Sequence, residues 1–242
     1  MGTAPMNILQ SSAAELMDDP ARTAEELRGS FRDLERMNRF LGAHAIVRAY
    51  LNRVLPVWRS RRAPARSVFT VLDVATGGGD VPAAVAAWAA RAGIAVRIAA
   101  VDRHPTTARL AGAATASCGA VTVLRADARA LPFREASVDV CLCNLALHHL
   151  TPEEGLALIG SLNRVARIGF LVVDLLRCAA GYGGAWLLTR LSSNRLIRHD
   201  GPLSVRRAPS WDEYRRLAEA AGIPGLRLAR HPFFRVSLSR IG

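Results

Sequence analysis

The sequence predicts an α/β protein built on a doubly wound, mostly parallel sheet that ends in an antiparallel hairpin. Short β-branched and apolar runs alternate with alanine- and leucine-rich helical segments between Val68 and Val173. The connections between these runs are short, which favours parallel strands joined by crossover helices. Only Arg230-His231-Pro232 separate the last two apolar runs. So short a connection cannot form a crossover and predicts a hairpin at the sheet edge.

The composition indicates one globular unit with a strong excess of positive charge. The 242 residues are 50% hydrophobic and carry a formal net charge of +12. An α/β domain of this length commonly folds as a single unit. All 32 basic residues are arginine and they are scattered along the chain. This pattern indicates a compositional bias rather than a phosphate-binding face, so nucleic-acid binding is not favoured.

The cysteines and the apolar stretches bear on the location of the protein. Cys141 and Cys143 lie two residues apart within an apolar run, so they share one face of a strand. This spacing predicts a buried, reduced pair rather than a disulfide or a metal site. No other metal ligands are predicted. The N-terminus lacks the basic start and apolar block of a signal peptide. The most apolar later stretch, residues 169–191, is interrupted by charges such as Asp174. We therefore expect a cytoplasmic protein without a membrane span.

Residues 1–60 are predicted to form an N-terminal helical extension, although residues 1–22 carry few structural signals. Thr23 and Glu26 have the spacing of a capping box, which begins the first helix. A second helix is predicted over Ala43–Trp58, with Pro56 bending or ending it. These two helices either pack against the sheet or form a lid over a pocket, and the sequence leaves both possibilities open.

Residues 61–242 are predicted to form the main domain, with residues 61–67 as a linker. The five parallel strands are predicted at Val68–Val74, Val96–Val101, Val121–Arg125, Val138–Cys143 and Ile168–Val173. Helices are predicted at 80–91, 105–116 and 152–166.

The C-terminal part is predicted to contain an insertion, a last helix and the hairpin. The segment of about 176–209 is predicted to be an inserted helix and loop that covers the substrate, because it is longer than an ordinary connection. The last helix begins after Ser210 in a second capping box and ends at Gly222. The hairpin strands are predicted at Leu226–Ala229 and Phe233–Leu238.

Polar residues end each of the first four strands. They are Asp73, Asp102, Asp127 and Asn144. Ligands of open parallel sheets bind beyond the carboxyl ends of the strands, so these side chains are expected to converge on one crevice. Three glycines, 77–79, follow the first strand and let the backbone approach a ligand closely. The sequence therefore predicts a cofactor site at this edge of the sheet.

These motifs resemble those of the class I S-adenosylmethionine-dependent methyltransferases, of the type that includes quinone-biosynthesis and small-metabolite enzymes. The resemblance rests on Asp73-Val-Ala-Thr-Gly77-Gly-Gly79, Val101-Asp102, Asp127-Ala128 and Asn144-Leu-Ala-Leu-His-His149-Leu. It covers about residues 68–175 and implies a Rossmann-like, seven-stranded sheet. It also implies S-adenosylmethionine as cofactor, S-adenosylhomocysteine as product, a small-molecule acceptor, and a monomer or homodimer.

The resemblance implies cofactor-binding roles for residues that follow the strands. They are Asp73, Ala75, Thr76, Gly77, Gly79, Asp102, Arg103, Asp127, Ala128, Asn144 and Leu145. Residues after the first strand would hold the methionine part of the cofactor, and residues after the second strand would bind its ribose. Residues after the third strand would border the adenine. Residues after the fourth strand would line the path to the methyl group. Ala75 stands where the family usually has its first glycine, which is tolerable if its φ stays negative.

His148 and His149 are the candidate catalytic residues, because they follow the fourth strand beside the expected methyl position and histidine is the residue type that can change charge near neutral pH. Methyl transfer needs chiefly alignment and desolvation, and a base is needed only if the acceptor must lose a proton. The same His-His-Leu run is structural in some relatives. His199 and His231 are the second choice.

Two rival classes are disfavoured by particular residues. A dinucleotide-dependent oxidoreductase needs the spacing G-x-G-x-x-G, but Pro82 occupies the third position counted from Gly77. Methyltransferases that act on base amines of DNA usually carry two prolines and an aromatic residue after the asparagine or aspartate, which Asn144 lacks.

The favoured function is O-methylation of a phenolic, quinone-like or polyketide-derived hydroxyl in secondary metabolism, because Tyr182 and Trp186 in the insertion suit a flat, apolar acceptor. A catalytically inactive methyltransferase-like binding protein and an RNA methyltransferase remain as alternatives.

Overall fold

A single seven-stranded sheet forms the centre of the computed structural model, which describes residues 8–61 and 68–242. In chain order the strands are β1 (Val68–Val74), β2 (Ala95–Asp102), β3 (Val121–Arg125), β4 (Val138–Asn144), β5 (Ala166–Leu175), β6 (Arg227–His231) and β7 (Arg235–Ile241). Their spatial order is β3-β2-β1-β4-β5-β7-β6. Strands β1 to β5 pair in parallel, whereas β7 pairs antiparallel with both β5 and β6. The predicted doubly wound sheet with its antiparallel hairpin is confirmed.

The helices flank the sheet and connect its strands. They are α1 (Ala24–Phe40), α2 (Ala43–Arg61), α3 (Asp80–Arg91), α4 (Pro105–Thr115), α5 (Pro152–Val165), α6 (Ala179–Thr189), α7 (Arg195–Arg207) and α8 (Trp211–Ala221). The capping boxes predicted at Thr23 and Ser210 both form, and Thr151 begins α5 with a third. Among the described residues, none of the helices combines the length and the apolar character needed to cross a membrane.

Both faces of the sheet are covered, which explains why its strands read as nearly continuous apolar runs. On one face, α5 and α8 bury Leu158, Leu162 and Tyr214 against β4 and β5. On the other face, α2 and α3 pack against the sheet, and the ring of Trp58 lies 5.4 Å from that of Phe69. Helix α2 of the N-terminal extension is therefore part of the core.

Two local predictions about helices are wrong, because packing overrides a local preference. Of the two possibilities at Pro56, bending or ending the helix, ending is wrong, since α2 continues to Arg61. The inserted segment 176–209 contains two helices, α6 and α7, in place of the predicted helix and loop, and Gly201 of α7 lies so close to the Thr189 side chain of α6 that a Cβ atom would not fit.

The hairpin turn is also displaced from its predicted position. It lies at residues 232–234, and Phe233 and Phe234 belong to the turn with positive φ angles. The predicted linker at 61–67 lies, apart from Arg61, outside the described residues.

Candidate active site

A cavity of about 280 Å³ lies at the carboxyl ends of β1 to β4, where the ends of parallel strands meet. Most of the sequence-predicted site residues line it. They are Asp73, Ala75, Thr76, Gly77, Asp102, Arg103, Asp127, Ala128, Asn144, Leu145 and His149. Two predicted site residues, Gly79 and His148, are not among the described residues that line the cavity. The fold thus brings the four strand ends to one place.

The glycine turn between β1 and α3 shapes the floor of this cavity. Gly77 and Gly79 have φ angles of 54° and 83°, in the left-handed region that glycine adopts without strain. Gly78 lies directly under α1, since a Cβ atom there would be 2.7 Å from Cβ of Phe31. Phe31 of α1 therefore packs directly against the glycine turn, and both line the same cavity.

Ala75 departs from expectation. Its φ is +57°, so the expectation of a negative φ at this position is wrong. An alanine in the left-handed region costs about 1–2 kcal/mol relative to a relaxed conformation. The tight turn that places Thr76 N–H on the carbonyl of Val101, at 3.0 Å, imposes this conformation. Leu145, after β4, has a φ of +55° and lines the same cavity. Strain of this kind tends to be held at functional sites.

Buried acceptor oxygens without partners surround the cavity. Asp73 is 1% exposed, and its Oδ2 has no hydrogen-bond partner within the described chain. The same holds for Oδ1 of Asn144 and Oδ1 of Asn38. Burial, reinforced by the nearby charges of Asp80 and Asp102, raises the pKa of Asp73 to about 8. Because buried polar groups are normally paired, these acceptors fit a ligand that brings its own donors and positive charge.

Asp102 ties two loops together at the end of β2. One carboxylate oxygen accepts from Gly77 N–H at 3.1 Å and the other from His104 N–H at 3.0 Å. Burial raises the pKa of Asp102, while these hydrogen bonds oppose that shift. His104 is the N-cap of α4.

Asp127 at the end of β3 is paired with Arg129. The guanidinium lies 2.6 Å from Oδ2 of Asp127 and lowers the pKa of that carboxyl to about 2. Arg129 also contacts Glu154 at 3.0 Å. Asp127 is therefore a permanently charged acceptor at the rim of the cavity.

The two candidate catalytic histidines occupy different environments. His148 is 6% exposed, and its Nδ1 lies 2.6 Å from Oδ1 of Asp174. Burial alone would lower the pKa of His148, but the carboxylates of Asp174 and Glu15 raise it to about 10. His149 lines the cavity, and its Nδ1 lies 3.0 Å from Oδ2 of Asp18. Of the two, His149 is the one that a bound acceptor can contact.

An N-terminal strap, residues 8–22, closes one side of the cavity and was not predicted from the sequence. It contributes Glu15, Met17 and Asp18 to the lining. Asp200 of α7 holds it by accepting from Leu16 N–H at 2.8 Å and Met17 N–H at 2.9 Å. The strap has neither helical nor strand periodicity, so no sequence signal marks these residues.

Helix α1 forms another wall of the cavity with Phe31, Leu34 and Asn38. No residue of 176–209 is among the described residues that line the cavity. This segment instead contacts the strap, for example through Arg206 carbonyl and Ser11 N–H at 3.1 Å. Its role as a substrate cover stays a prediction.

The remaining histidines have partners outside the cavity or at its edge. His199 pairs with Asp200 at 2.7 Å, and His231 with the Ser237 hydroxyl at 2.7 Å. His44 lies 2.7 Å from Asp80, which lines the cavity. Neither second-choice histidine lines the described part of the cavity.

The strand order, the glycine turn and the acid-ended strands together define the class I methyltransferase architecture. Residues 71–169 match the family model described as a methyltransferase domain. No curated protein sequence matches the chain. The family match over residues 71–169 and the fold support a class I S-adenosylmethionine-dependent methyltransferase, as the motifs predicted.

Solved structures agree with this fold. The SAM-dependent methyltransferase from Aquifex aeolicus is 21% identical with a TM-score of 0.52, over 71% of this chain and 80% of that chain. The plantazolicin methyltransferase BamL, solved with a triazolic desmethylPZN analog and SAH, is 16% identical with a TM-score of 0.62, over 87% of this chain and 73% of that chain. The plantazolicin methyltransferase BpumL, solved with SAH, is 11% identical with a TM-score of 0.64, over 92% of this chain and 91% of that chain. At these identities the likeness shows the fold.

Proposed function

We propose that the protein transfers a methyl group from S-adenosylmethionine to a hydroxyl of a small phenolic, quinone-like or polyketide-derived molecule in secondary metabolism. The observation that carries this proposal is the cavity at the strand ends, whose lining combines the hydrogen-bonded pair His149 and Asp18 with the apolar side chains of Met17, Phe31 and Leu34. A cavity closed over by a strap and a helix suits a small acceptor rather than an extended polymer. Its apolar walls suit a flat, apolar molecule.

The residues around the cavity fit the methyl donor. The unpartnered carboxylate oxygen of Asp73 and the glycine turn would hold the methionine ammonium. Asp102 would accept from the ribose hydroxyls, and Asp127 with Ala128 would border the adenine. Asn144 and Leu145 would line the path to the methyl group. When bound, S-adenosylmethionine supplies an electrophilic methyl group on a sulfonium.

We assign the general-base role to His149. A hydrogen bond from Nδ1–H to Asp18 leaves Nε2 as the proton acceptor for a hydroxyl in the cavity. His148 suits this role poorly, because Asp174 and Glu15 favour its protonated form. We therefore place His148 in a supporting position behind the cavity.

The test is methyl transfer from methyl-labelled S-adenosylmethionine to a panel of phenols, hydroxyquinones and hydroxylated polyketide aromatics. We expect an O-methylated product with wild type, and a fall in kcat for His149→Gln with unchanged cofactor affinity. His231→Gln is the matched control, because His231 lies in the hairpin. A product methylated on carbon or nitrogen would contradict the hydroxyl acceptor. Cofactor binding without turnover on the whole panel would favour an inactive binding protein, and transfer to RNA would favour the nucleic-acid alternative.

A cytoplasmic location belongs to the same proposal. The four cysteines are free thiols, and Cys141, Cys143 and Cys178 are buried. Burial raises the pKa of Cys141 and of Cys143, so both stay protonated and inert. Buried free thiols suit a reducing compartment.

A further inference from the structure

A second group of chemically active side chains lies where the N-terminal strap passes over the turn after β4. Glu15, His148 and His149 each offer one ligand atom, and these atoms all lie within 4.8 Å of one another. Nε2 of His148 is 3.6 Å from Oε1 of Glu15, and Nε2 of His149 is 3.8 Å from Oε2 of Glu15. Two ligands held at about 2.1 Å by one tetrahedral ion are separated by about 3.4 Å. The three groups therefore need to move only slightly to share an ion.

Both imidazoles are oriented from behind by a carboxylate. Nδ1 of His148 lies 2.6 Å from Asp174, and Nδ1 of His149 lies 3.0 Å from Asp18. Histidine ligands in metal sites usually donate their second ring N–H to a carboxylate, which fixes the tautomer and turns the other nitrogen toward the metal. Here that arrangement occurs twice, and both Nε2 atoms point toward Glu15.

The local charges do not oppose a cation. Glu15, Asp18 and Asp174 bring three carboxylates to the cluster. Three guanidiniums balance them: Arg207, 4.0 Å from Oε1 of Glu15, Arg103, whose charge interacts with Asp18, and Arg235, whose charge interacts with Asp174. Of these groups, the carboxylate of Glu15 is the one that lies between the two Nε2 atoms, where it can bind a cation directly.

We propose that Glu15, His148 and His149 bind a divalent first-row transition-metal ion of the Zn²⁺ type. Two imidazoles and one carboxylate form a known catalytic zinc ligand set, which leaves one coordination position open. Imidazole ligands disfavour Mg²⁺ and Ca²⁺, which prefer oxygen. Glu15 and His149 also line the cavity, so the open position faces the expected acceptor and takes an oxygen ligand. The inference rests on the proposed function and refines it: the ion would lower the pKa of the acceptor hydroxyl, whose proton then leaves to solvent water instead of being accepted by His149.

The experiment measures metal binding directly. Protein stripped with a chelator is titrated with Zn²⁺ in competition with a chromophoric chelator, and separately with Co²⁺ while its visible absorption is recorded. The background is Cys118→Ser, because Cys118 is the only described cysteine that is not buried. Circular dichroism and affinity for S-adenosylhomocysteine verify that each variant is folded.

We expect equimolar Zn²⁺ binding and Co²⁺ bands without thiolate charge transfer. Glu15→Gln should weaken Zn²⁺ binding by about 100-fold or more, and Asp18→Asn by about 10-fold. Glu25→Gln, an exposed change on α1, is the matched control and should leave the affinity unchanged.

Two results would overturn the metal site. One is that folded wild-type protein, stripped of metal, binds no Zn²⁺. The site would then hold a proton on His148 in place of a metal ion. The other is Glu15→Gln with wild-type affinity. Full methyl transfer by stripped protein that Zn²⁺ does not alter would also count against the site while leaving the proposed function intact. Conversely, Zn²⁺ binding that depends on Glu15, without any methyl transfer to hydroxyls, would retain the site and overturn the proposed function.

Discussion

The carboxylate of Asp102 accepts a hydrogen bond of 3.1 Å from the backbone N–H of Gly77, which ties the end of β2 to the glycine turn after β1. The second oxygen of Asp102 holds the loop before α4 through His104 N–H. Two loops that border the cavity are thus fixed by one partly buried side chain. Such preorganisation lowers the entropic cost of binding.

Asp102→Ala should weaken the binding of S-adenosylhomocysteine by about 1.5–3 kcal/mol, since it removes hydrogen bonds to a charged acceptor and releases the glycine turn. Titration calorimetry measures the change. Asp212→Ala serves as the control, because the side chain of Asp212 is 66% exposed on α8. Equal affinities of Asp102→Ala and wild type would mean that Asp102 does not contact the cofactor.

Ala75→Gly should stabilise the protein by about 0.5–1 kcal/mol, because glycine adopts the positive φ of this position without strain. The same substitution at Ala87, on the exposed side of α3, should destabilise it by a similar amount, since glycine weakens a helix interior. Urea unfolding of the two variants measures both effects. A loss of stability in both would show that strain at Ala75 is negligible.

Asp73→Asn should alter the dependence of stability on pH. The folded pKa of about 8 lies above the ordinary value of 3.8, so between those values the folded state holds a proton that the unfolded state has released. Stability that depends on this proton is fully present below about pH 4 and is lost as the pH rises toward 8, by up to about 1.4 kcal/mol per pH unit. Asparagine cannot ionise. The free energy of unfolding of the variant, relative to that of wild type, should therefore be higher at pH 9 than at pH 5. Urea unfolding at the two pH values measures this difference.

The same variant should bind S-adenosylmethionine more weakly, because it loses the carboxylate opposite the ammonium. Asp212→Asn, at an exposed site, controls for the general effect of removing an acid. A stability difference that is identical at pH 5 and pH 9 would contradict the raised pKa of Asp73.

Asp200→Ala should release the N-terminal strap, since both carboxylate oxygens accept from strap N–H groups. Each hydrogen bond to a charged acceptor contributes about 1.5–3 kcal/mol, so opening of the strap should become at least about tenfold more favourable. Trypsin cleavage after Arg22, followed by mass spectrometry, measures this opening. Cleavage at the wild-type rate would indicate that other contacts, such as Arg207 to the carbonyl of Ala13, hold the strap.

The sheet and its cofactor edge were predictable because their signals are local. β-branched runs, capping boxes and a glycine turn after an acid depend on neighbouring residues, and β1, α3 and β3 have the predicted bounds. The end of α2 and the second helix of the inserted segment, α7, were not predicted, for the opposite reason. The local preference of Pro56 and Pro202 for ending a helix is weaker than the packing of α2 on the sheet and of α7 on α6.

The sequence alone determined the α/β class, the hairpin at the sheet edge and the residues that meet at the strand ends, because parallel strands necessarily bring their carboxyl ends together. Only the tertiary structure decided what surrounds those residues. Glu15 and Asp18 reach His149 through an irregular strap that is held by Asp200, and no periodic pattern connects positions so distant along the chain. The positive φ of Ala75 and the burial of His148 between two carboxylates are likewise consequences of contacts that form only in the folded molecule.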